Sequence, residues 1–185
     1  MAGSGHRGGA AAGHVAEHGA GGAATRPSDY IWALVRISIG WVFLWAFLDK
    51  TFGWGFGTPA DRAWVGGASP TTGYLKGTAR KPLGAVFSPL AGHAWADWLF
   101  MLGLLGVGVA LILGVGLRLT AVSGGLLLLL MWAAELPPEH NPFMDYRLVY
   151  ALVIVGLALV NAGDTLGFGR WWGNTALVRR YPFLR

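Results

Sequence analysis

An all-α integral membrane protein is the fold class the sequence predicts: a bundle of four transmembrane helices with a long ordered loop between the first and second. Three observations predict it. Hydrophobic residues make up 54% of the 185 residues and charged residues only 12%, where a soluble domain carries about 25%. Thirty glycines and ten tryptophans match the composition of spanning helices and of interfacial aromatic belts. The apolar residues are gathered into runs of membrane length. The net charge is +5 and the pI about 10. Because the basic residues sit between apolar runs, the lipid bilayer with its anionic headgroups is the expected partner, and no nucleic acid.

Residues 1–28 form a Gly/Ala-rich tail carrying Arg7, His14, Glu17, His18 and Arg26. It has no hydrophobic period and is expected to be disordered. It lacks the apolar stretch of a signal peptide. His14 and His18 share the i, i+4 spacing of a metal pair, but in such a tail no metal site is expected. A membrane domain follows over residues 29–172. Its first helix is predicted over Tyr30–Leu48, a length of about 28 Å, and Asp49 and Lys50 stop it. The next forty-odd residues hold many glycines and prolines with Trp54, Trp64 and Trp95, which suits a cap on the membrane surface. Pro82–Gly92 is apolar but too short to span, and reads as an interfacial or re-entrant turn.

The run Trp98–Ala134 has Arg118 as its single charge. As one helix it would be about 55 Å long, nearly two hydrocarbon cores. It must therefore fold back, and Gly114, Gly116, Arg118 and Thr120 mark the reversal. The second helix is predicted over Asp97–Leu117 and the third over Leu119–Leu136, ended by Pro137 and Pro138. A polar link leads to a fourth helix over Met144–Leu166. Residues 173–185 form a basic and aromatic tail that, with Trp171 and Trp172, reads as an interfacial anchor. Gly106, Ala110 and Gly114 make a small-residue stripe on the second helix, and Gly124 and Gly125 offer the same on the third. Such stripes serve packing within a bundle or homodimerisation.

Four helices put both termini on one side. Arg26, Arg118, Arg170, Arg179 and Arg180 on the terminal side nearly balance Lys50, Arg62, Arg80, Lys81 and Arg147 on the other. Arg36 tips the count, and both termini are expected in the cytoplasm. Arg36 lies inside the first helix. It is expected to snorkel, or to pair with Asp164 or with the C-terminal carbonyls of another helix; a ligand-binding role is the alternative. Asn161 is expected to hydrogen-bond between helices.

The same helix count gathers Asp49, Lys50, Asp97, Glu135, His140, Asp145, Tyr146 and Arg147 on the loop side. These are either ordinary helix-end charges, with Asp97 and Asp145 complementing helix dipoles, or the wall of a polar pocket for an anion or a quinone headgroup. Buried charges persist near lipid only when paired, so Arg147 is expected to pair with Asp49 or Glu135, and Lys50 with a neighbouring acid. Several chemistries are excluded. There are no cysteines, hence no disulfide, thiolate metal site or iron–sulfur cluster. No histidine lies within a span to hold a haem. No GxGxxG follows a strand. Neither haem, flavin nor iron–sulfur cluster is expected.

Three blocks carry a family likeness: Phe47-Leu48-Asp49-Lys50, Gly67-Ala68-Ser69-Pro70-Thr71-Thr72-Gly73-Tyr74-Leu75, and Asn141-Pro142-Phe143-Met144-Asp145-Tyr146-Arg147-Leu148-Val149-Tyr150 with the later Asn161-Ala162-Gly163 and Leu166-Gly167-Phe168-Gly169-Arg170-Trp171-Trp172. Over residues 30–172 the chain resembles the DoxX/DoxD family of four-helix bacterial and archaeal membrane proteins. The resemblance implies a bacterial cytoplasmic membrane location. It also implies, as in some members, a membrane subunit of a thiosulfate:quinone oxidoreductase. Arg147 departs from the histidine common in relatives; arginine stays charged and cannot shuttle protons, which counts against a proton-coupled quinone role there and leaves anion binding open.

Three functional classes stay open. In the first, the chain is an enzyme subunit oxidising a small sulfur oxyanion with a membrane quinone as co-substrate. The anion would meet Lys50, Arg147 and Lys81, among Asp49, Glu135, Asp145 and Tyr146. The quinone would lie beside Trp95, Trp98 and Tyr146. In the second, it is a non-catalytic subunit, anchor or assembly factor of a larger redox complex, with partner subunits or as a homo-oligomer. A small-molecule carrier is a third.

Overall fold

The computed structural model describes residues 25–185, and every regular element among them is helical. The chain opens with α1 (Pro27–Phe52). The short helices α2 (Thr72–Gly77) and α3 (Gly84–Phe87), flanked by single 3₁₀ turns, occupy the connection that follows. Helices α4 (Ala94–Leu113) and α5 (Leu117–Ala134) form a hairpin, α6 (Tyr146–Leu159) returns, and α7 (Gly169–Gly173) and α8 (Ala176–Arg180) follow it. Three of these helices, α1, α4 and α5, are long and apolar enough to cross a membrane. The molecule is thus an all-α membrane protein, as its composition implies.

Helix boundaries differ from the sequence expectation for local reasons. Helix α1 starts at Pro27, inside the expected tail, because proline at the first helical position has its φ preset and no N–H to satisfy. The Asp29 carboxylate accepts from the Arg26 N–H at 2.8 Å. The remainder of the tail, with His14 and His18, lies outside the described residues. Helix α1 runs past Asp49 and Lys50 and stops at Gly53, which takes a left-handed conformation and donates to the Asp49 carbonyl at 2.8 Å. The α4–α5 reversal falls earlier in the chain than expected, over Gly114–Gly116. Two left-handed glycines, Gly114 and Gly116, turn the chain, so Arg118 falls inside the first turn of α5.

The largest departure is α6. It has 14 residues, about 21 Å, where the apolar pattern suggested Met144–Leu166. At its start the Asp145 carboxylate accepts from the Arg147 N–H at 2.8 Å and caps the helix. At its end Asn161 adopts φ 50° and breaks the ladder. Asn161 is therefore a helix terminator, not the interhelical hydrogen bonder expected. The turn lets Gly163 press onto Gly114, where any Cβ would overlap the Gly114 carbonyl.

Helix α1 packs along α4, α5 along α6, and α4 also meets α5. The core between them includes Phe43, Met101, Leu104, Leu111, Leu128, Ile154 and Leu157. The buried positions Met101, Leu104, Gly108 and Leu111 follow a helical period, and Gly108 on that face lets the backbone of α1 approach at Leu44 while Gly40 receives Leu111 and Ile112. The expected stripe of Gly106, Ala110 and Gly114 is not this contact: Gly106 is exposed with nothing near it. Of the α5 pair, Gly124 abuts Val107 and Gly125 abuts nothing.

Arg36 is completely buried (0% exposed). Its guanidinium donates to the carbonyls of Leu111 and Ile112 in the last turn of α4, the latter at 2.8 Å, and to those of Thr165 and Leu166 at 3.4 and 2.7 Å. Carbonyls in that last turn have no intrahelical donor and carry the negative end of the helix dipole. Of the roles open to Arg36, capping another helix's C-terminal carbonyls is the one the structure shows; Asp164 pairs instead with Arg185 at 3.0 Å. The bond also fixes the topology: the start of α1, the end of α4 and the segment after α6 meet on one face, and the loop of α2 and α3 covers the other.

Candidate functional site

The residues expected to form one loop-side pocket are divided between two cavities and two structural tethers. Asp49, at the end of α1, is a tether. Its buried carboxylate accepts from the Phe56 and Gly57 N–H groups at 3.2 and 2.9 Å, so it organises the chain leaving α1 and faces neither cavity. Asp97, in the first turn of α4, is the second. One carboxylate oxygen accepts from the Ser69 hydroxyl at 2.8 Å, the Thr71 hydroxyl at 2.5 Å and the Thr71 N–H at 3.2 Å. The Gly67–Leu75 block therefore serves to dock the loop on α4.

The first cavity, about 450 Å³, is polar and lies over the α5–α6 link. Glu135, Glu139, His140, Asp145, Tyr146 and Arg147 line it. Arg147 pairs with Asp145 at 2.8 Å, not with Asp49 or Glu135 as expected. Two residues apart at a helix start, these side chains share one turn, and no other acid can compete at that distance. The Arg147 guanidinium also lies 4.9 Å over the Tyr146 ring. Glu135 faces Lys81 at 3.8 Å, and Lys81 donates to the Glu135 and Pro137 carbonyls. The Asn141 side chain accepts from the Phe143 and Met144 N–H groups at 3.0 and 2.8 Å, so the Asn-Pro-Phe-Met-Asp-Tyr-Arg block builds the tight entry to α6.

The second cavity, about 200 Å³, lies between α4 and α5 beneath the loop. Its wall is almost wholly apolar: Leu99, Phe100 and Trp95 from α4, Leu127, Leu130 and Met131 from α5, and Phe87 and Leu90 from the loop. Leu99, Trp95 and Leu130 are also exposed on the outer surface, so the cavity is reached from the lipid side. Lys50 reaches into this wall from the last turn of α1. It is half-buried and, among the described residues, has no hydrogen-bond or ion-pair partner. Among the described residues no acid comes within ion-pair distance of Lys50, because the neighbouring Asp49 is turned to backbone donors and Glu135 to Lys81.

Tyr74 of α2 lines the second cavity and lies near the Arg147 and Glu135 charges of the first. Its ring lines the apolar one, and its hydroxyl donates to the Met131 carbonyl at 2.9 Å. Burial pushes the phenol well above its usual range; nearby Arg147 opposes the shift, and Glu135 adds to it. From the sequence alone Tyr74 has no role beyond its place in the Gly67–Leu75 block, and no local pattern singles it out.

Of the residues expected for a quinone, Trp95 lines the apolar cavity. Trp98 stacks edge-on against Trp64 with ring centres 4.7 Å apart, and Tyr146 stands over the polar cavity against Tyr150. Of those expected for an anion, Glu135, Asp145, Tyr146 and Arg147 share the polar cavity and Lys50 the apolar one. Compared with family models, curated proteins and solved structures, the chain returns no match.

Proposed function

We propose that the chain is a DoxX-like, four-span protein of the bacterial cytoplasmic membrane whose loop-side cavity binds a lipid-soluble quinone. In this reading it serves as the membrane subunit of a larger quinone-linked redox complex. The observation that carries it is Lys50: an unpartnered cation set in an apolar, lipid-accessible cavity beside the Tyr74 hydroxyl and Trp95. A quinone needs this combination, with apolar walls for its ring and a few placed donors for its carbonyl oxygens.

The fourth span in this reading is α6. It packs along α5 and turns Leu152 and Leu159 outward, as a lipid-facing helix does. Four spans put both termini on one side, and we place that side in the cytoplasm. For oxidation of a sulfur oxyanion, support from the polar cavity is weaker. Its three carboxylates surround a single arginine already paired with Asp145, and a dianion would meet net negative charge there. We therefore assign the substrate chemistry to a partner subunit.

The test uses the full chain in mild detergent, titrated with a short-chain benzoquinone and followed by tryptophan fluorescence. Saturable binding is expected. Lys50→Met should weaken it about tenfold, the worth of one charge-assisted hydrogen bond, while Arg147→Ala leaves it unchanged. Absence of saturable binding, or equal loss in both variants, would overturn the assignment of the cavity.

A further inference from the structure

We propose that the face opposite the loop, built from α7, α8 and the α4–α5 turn, is a specific binding site for an anionic phospholipid of the surrounding membrane. Its arginines would hold the phosphate, and an acyl chain would lie in the groove beside Trp171.

The two ends of the bundle differ in charge. On the loop end, Lys50, Arg62, Lys76, Arg80, Lys81 and Arg147 are balanced by six acids, Asp49, Asp61, Asp97, Glu135, Glu139 and Asp145. On the other end, among the described residues, Arg26, Arg118, Arg170, Arg179, Arg180 and Arg185 face only Asp29 and Asp164, and Arg36 is buried on carbonyls. Asp164 is taken by Arg185 and Asp29 by the Arg26 N–H. Among the described residues Arg170, Arg179 and Arg180 are exposed and have no ion-pair partner.

Apolar side chains are interleaved with these cations. Phe168, Trp171, Leu177 and Phe183 are all exposed. A groove of about 410 Å³ runs between Leu113, Val115, Phe168, Trp171 and Trp172, and Arg170 precedes Trp171 in α7. The platform is fixed in place: Phe168 N–H donates to the Leu113 carbonyl at 2.9 Å, the Trp172 indole to the Leu184 carbonyl at 2.7 Å, and Arg118 N–H to the Arg185 carbonyl at 2.8 Å. Guanidinium forks match phosphate oxygens, and an apolar groove beside them matches an acyl chain. Free phosphate would use the first and leave the second empty; a phospholipid uses both. The site is independent of the quinone reading.

The experiment follows thermal unfolding of the full chain in neutral detergent with dioleoyl phosphatidylglycerol, dioleoyl phosphatidylcholine or glycerol 3-phosphate added. Phosphatidylglycerol should raise the Tm by about 2–4 °C, phosphatidylcholine by less than half of that, and glycerol 3-phosphate not at all. The Arg170→Gln/Arg179→Gln/Arg180→Gln variant should lose the phosphatidylglycerol shift. The Arg62→Gln/Lys76→Gln/Arg80→Gln variant, with the same change in charge on the loop end, should keep it. Equal loss in both variants makes the effect one of bulk charge and overturns the proposal. So does an equal shift from phosphatidylcholine, or a shift from glycerol 3-phosphate alone. If the first variant does not fold, Trp171→Ala removes a groove wall and no charge; an undiminished shift there also overturns it.

Discussion

Arg36 and Lys50 are cations on the same helix, about 21 Å apart along its axis, and the protein treats them in opposite ways. Arg36 is fully buried and donates to four carbonyls from two other segments. Lys50 is half-buried against apolar side chains and has no partner among the described residues. A charge in or near hydrocarbon is tolerated when its hydrogen-bonding capacity is met. Both terminal nitrogens of Arg36 meet that condition from within the fold, with Nε alone left unpartnered, so its role needs no ligand. For Lys50 the fold provides cavity space and, among the described residues, no hydrogen-bond acceptor, which is why we propose it as the cation that meets a bound quinone. The difference separates a structural charge from a binding charge more sharply than depth in the membrane does, since the deeper of the two is the structural one.

The strongest way to break this comparison is at Arg36. Arg36→Met removes a donor set and leaves four carbonyls without it, the buried one of Leu111 and the part-buried ones of Ile112, Thr165 and Leu166. Losing one side of a buried charged network costs about 3–5 kcal/mol, enough to empty the folded state of most domains. The expected result is aggregated or unfolded protein in detergent. Arg36→Lys should recover part of the loss, because a single ammonium cannot reach both the α4 terminus and the Thr165–Leu166 carbonyls. Thermal unfolding of the two variants side by side measures this. Wild-type stability in Arg36→Met would show that the carbonyls find other donors and that Arg36 is no keystone.

A smaller effect is expected at Tyr74, the residue that shares the Lys50 cavity yet is satisfied like Arg36. Tyr74→Phe deletes its hydrogen bond to the Met131 carbonyl and should cost about 1 kcal/mol at neutral pH. The pH dependence has a fixed sign. Burial raises the folded-state pKa of Tyr74 above the unfolded value, which is about 10. Below pH ~10 both states hold the proton and the contribution is complete. As the pH rises past that value the unfolded chain ionises first, so unfolding is favoured and the contribution is lost. Alkaline titration of the Tm should therefore fall less steeply in Tyr74→Phe than in the wild type. Parallel curves would mean that the hydroxyl is not buried in solution.

These cases also show which parts of the molecule were legible from sequence. The spans of α1, α4 and α5 follow from apolar runs and two glycines, because bilayer thickness and helix rise leave little choice. The end of α6 did not follow: Leu157, Leu159 and Val160 continue the apolar pattern, and the stop at Asn161 depends on Gly163 meeting Gly114, a contact between segments far apart in sequence. The alternation of helices up and down the bundle places the helix-end charges Asp49, Asp97, Glu135 and Asp145 toward the loop. It does not settle their partners, because pairing is decided over a few ångströms. Asp145 reaches Arg147 within one turn, and Asp49 is closer to the N–H groups of Phe56 and Gly57 than to any cation across the bundle. Tyr74 escaped notice because its value comes from the roof it forms over α4 and α5, which no local pattern records.

The smallest change in stability is expected at Lys50, and it is the one that sharpens the comparison most. Lys50→Met keeps a similar length and fills the same space with a flexible apolar chain. It removes a partly desolvated ammonium that has no acceptor to lose. Replacing an uncompensated charge in such a place is neutral or stabilising by up to about 1 kcal/mol. The Tm of Lys50→Met should therefore equal or exceed that of the wild type, while the same substitution weakens the cavity for a quinone carbonyl. A structural cation moves both readouts together, as Arg36 must, because the fold and any site built on it fail as one. A binding cation separates them. If Lys50→Met instead lowers stability by more than about 2 kcal/mol, the scale of a lost buried charge interaction, then Lys50 has acceptors within the fold. It would stand with Arg36, and the cavity would have lost the group that marks it as a site.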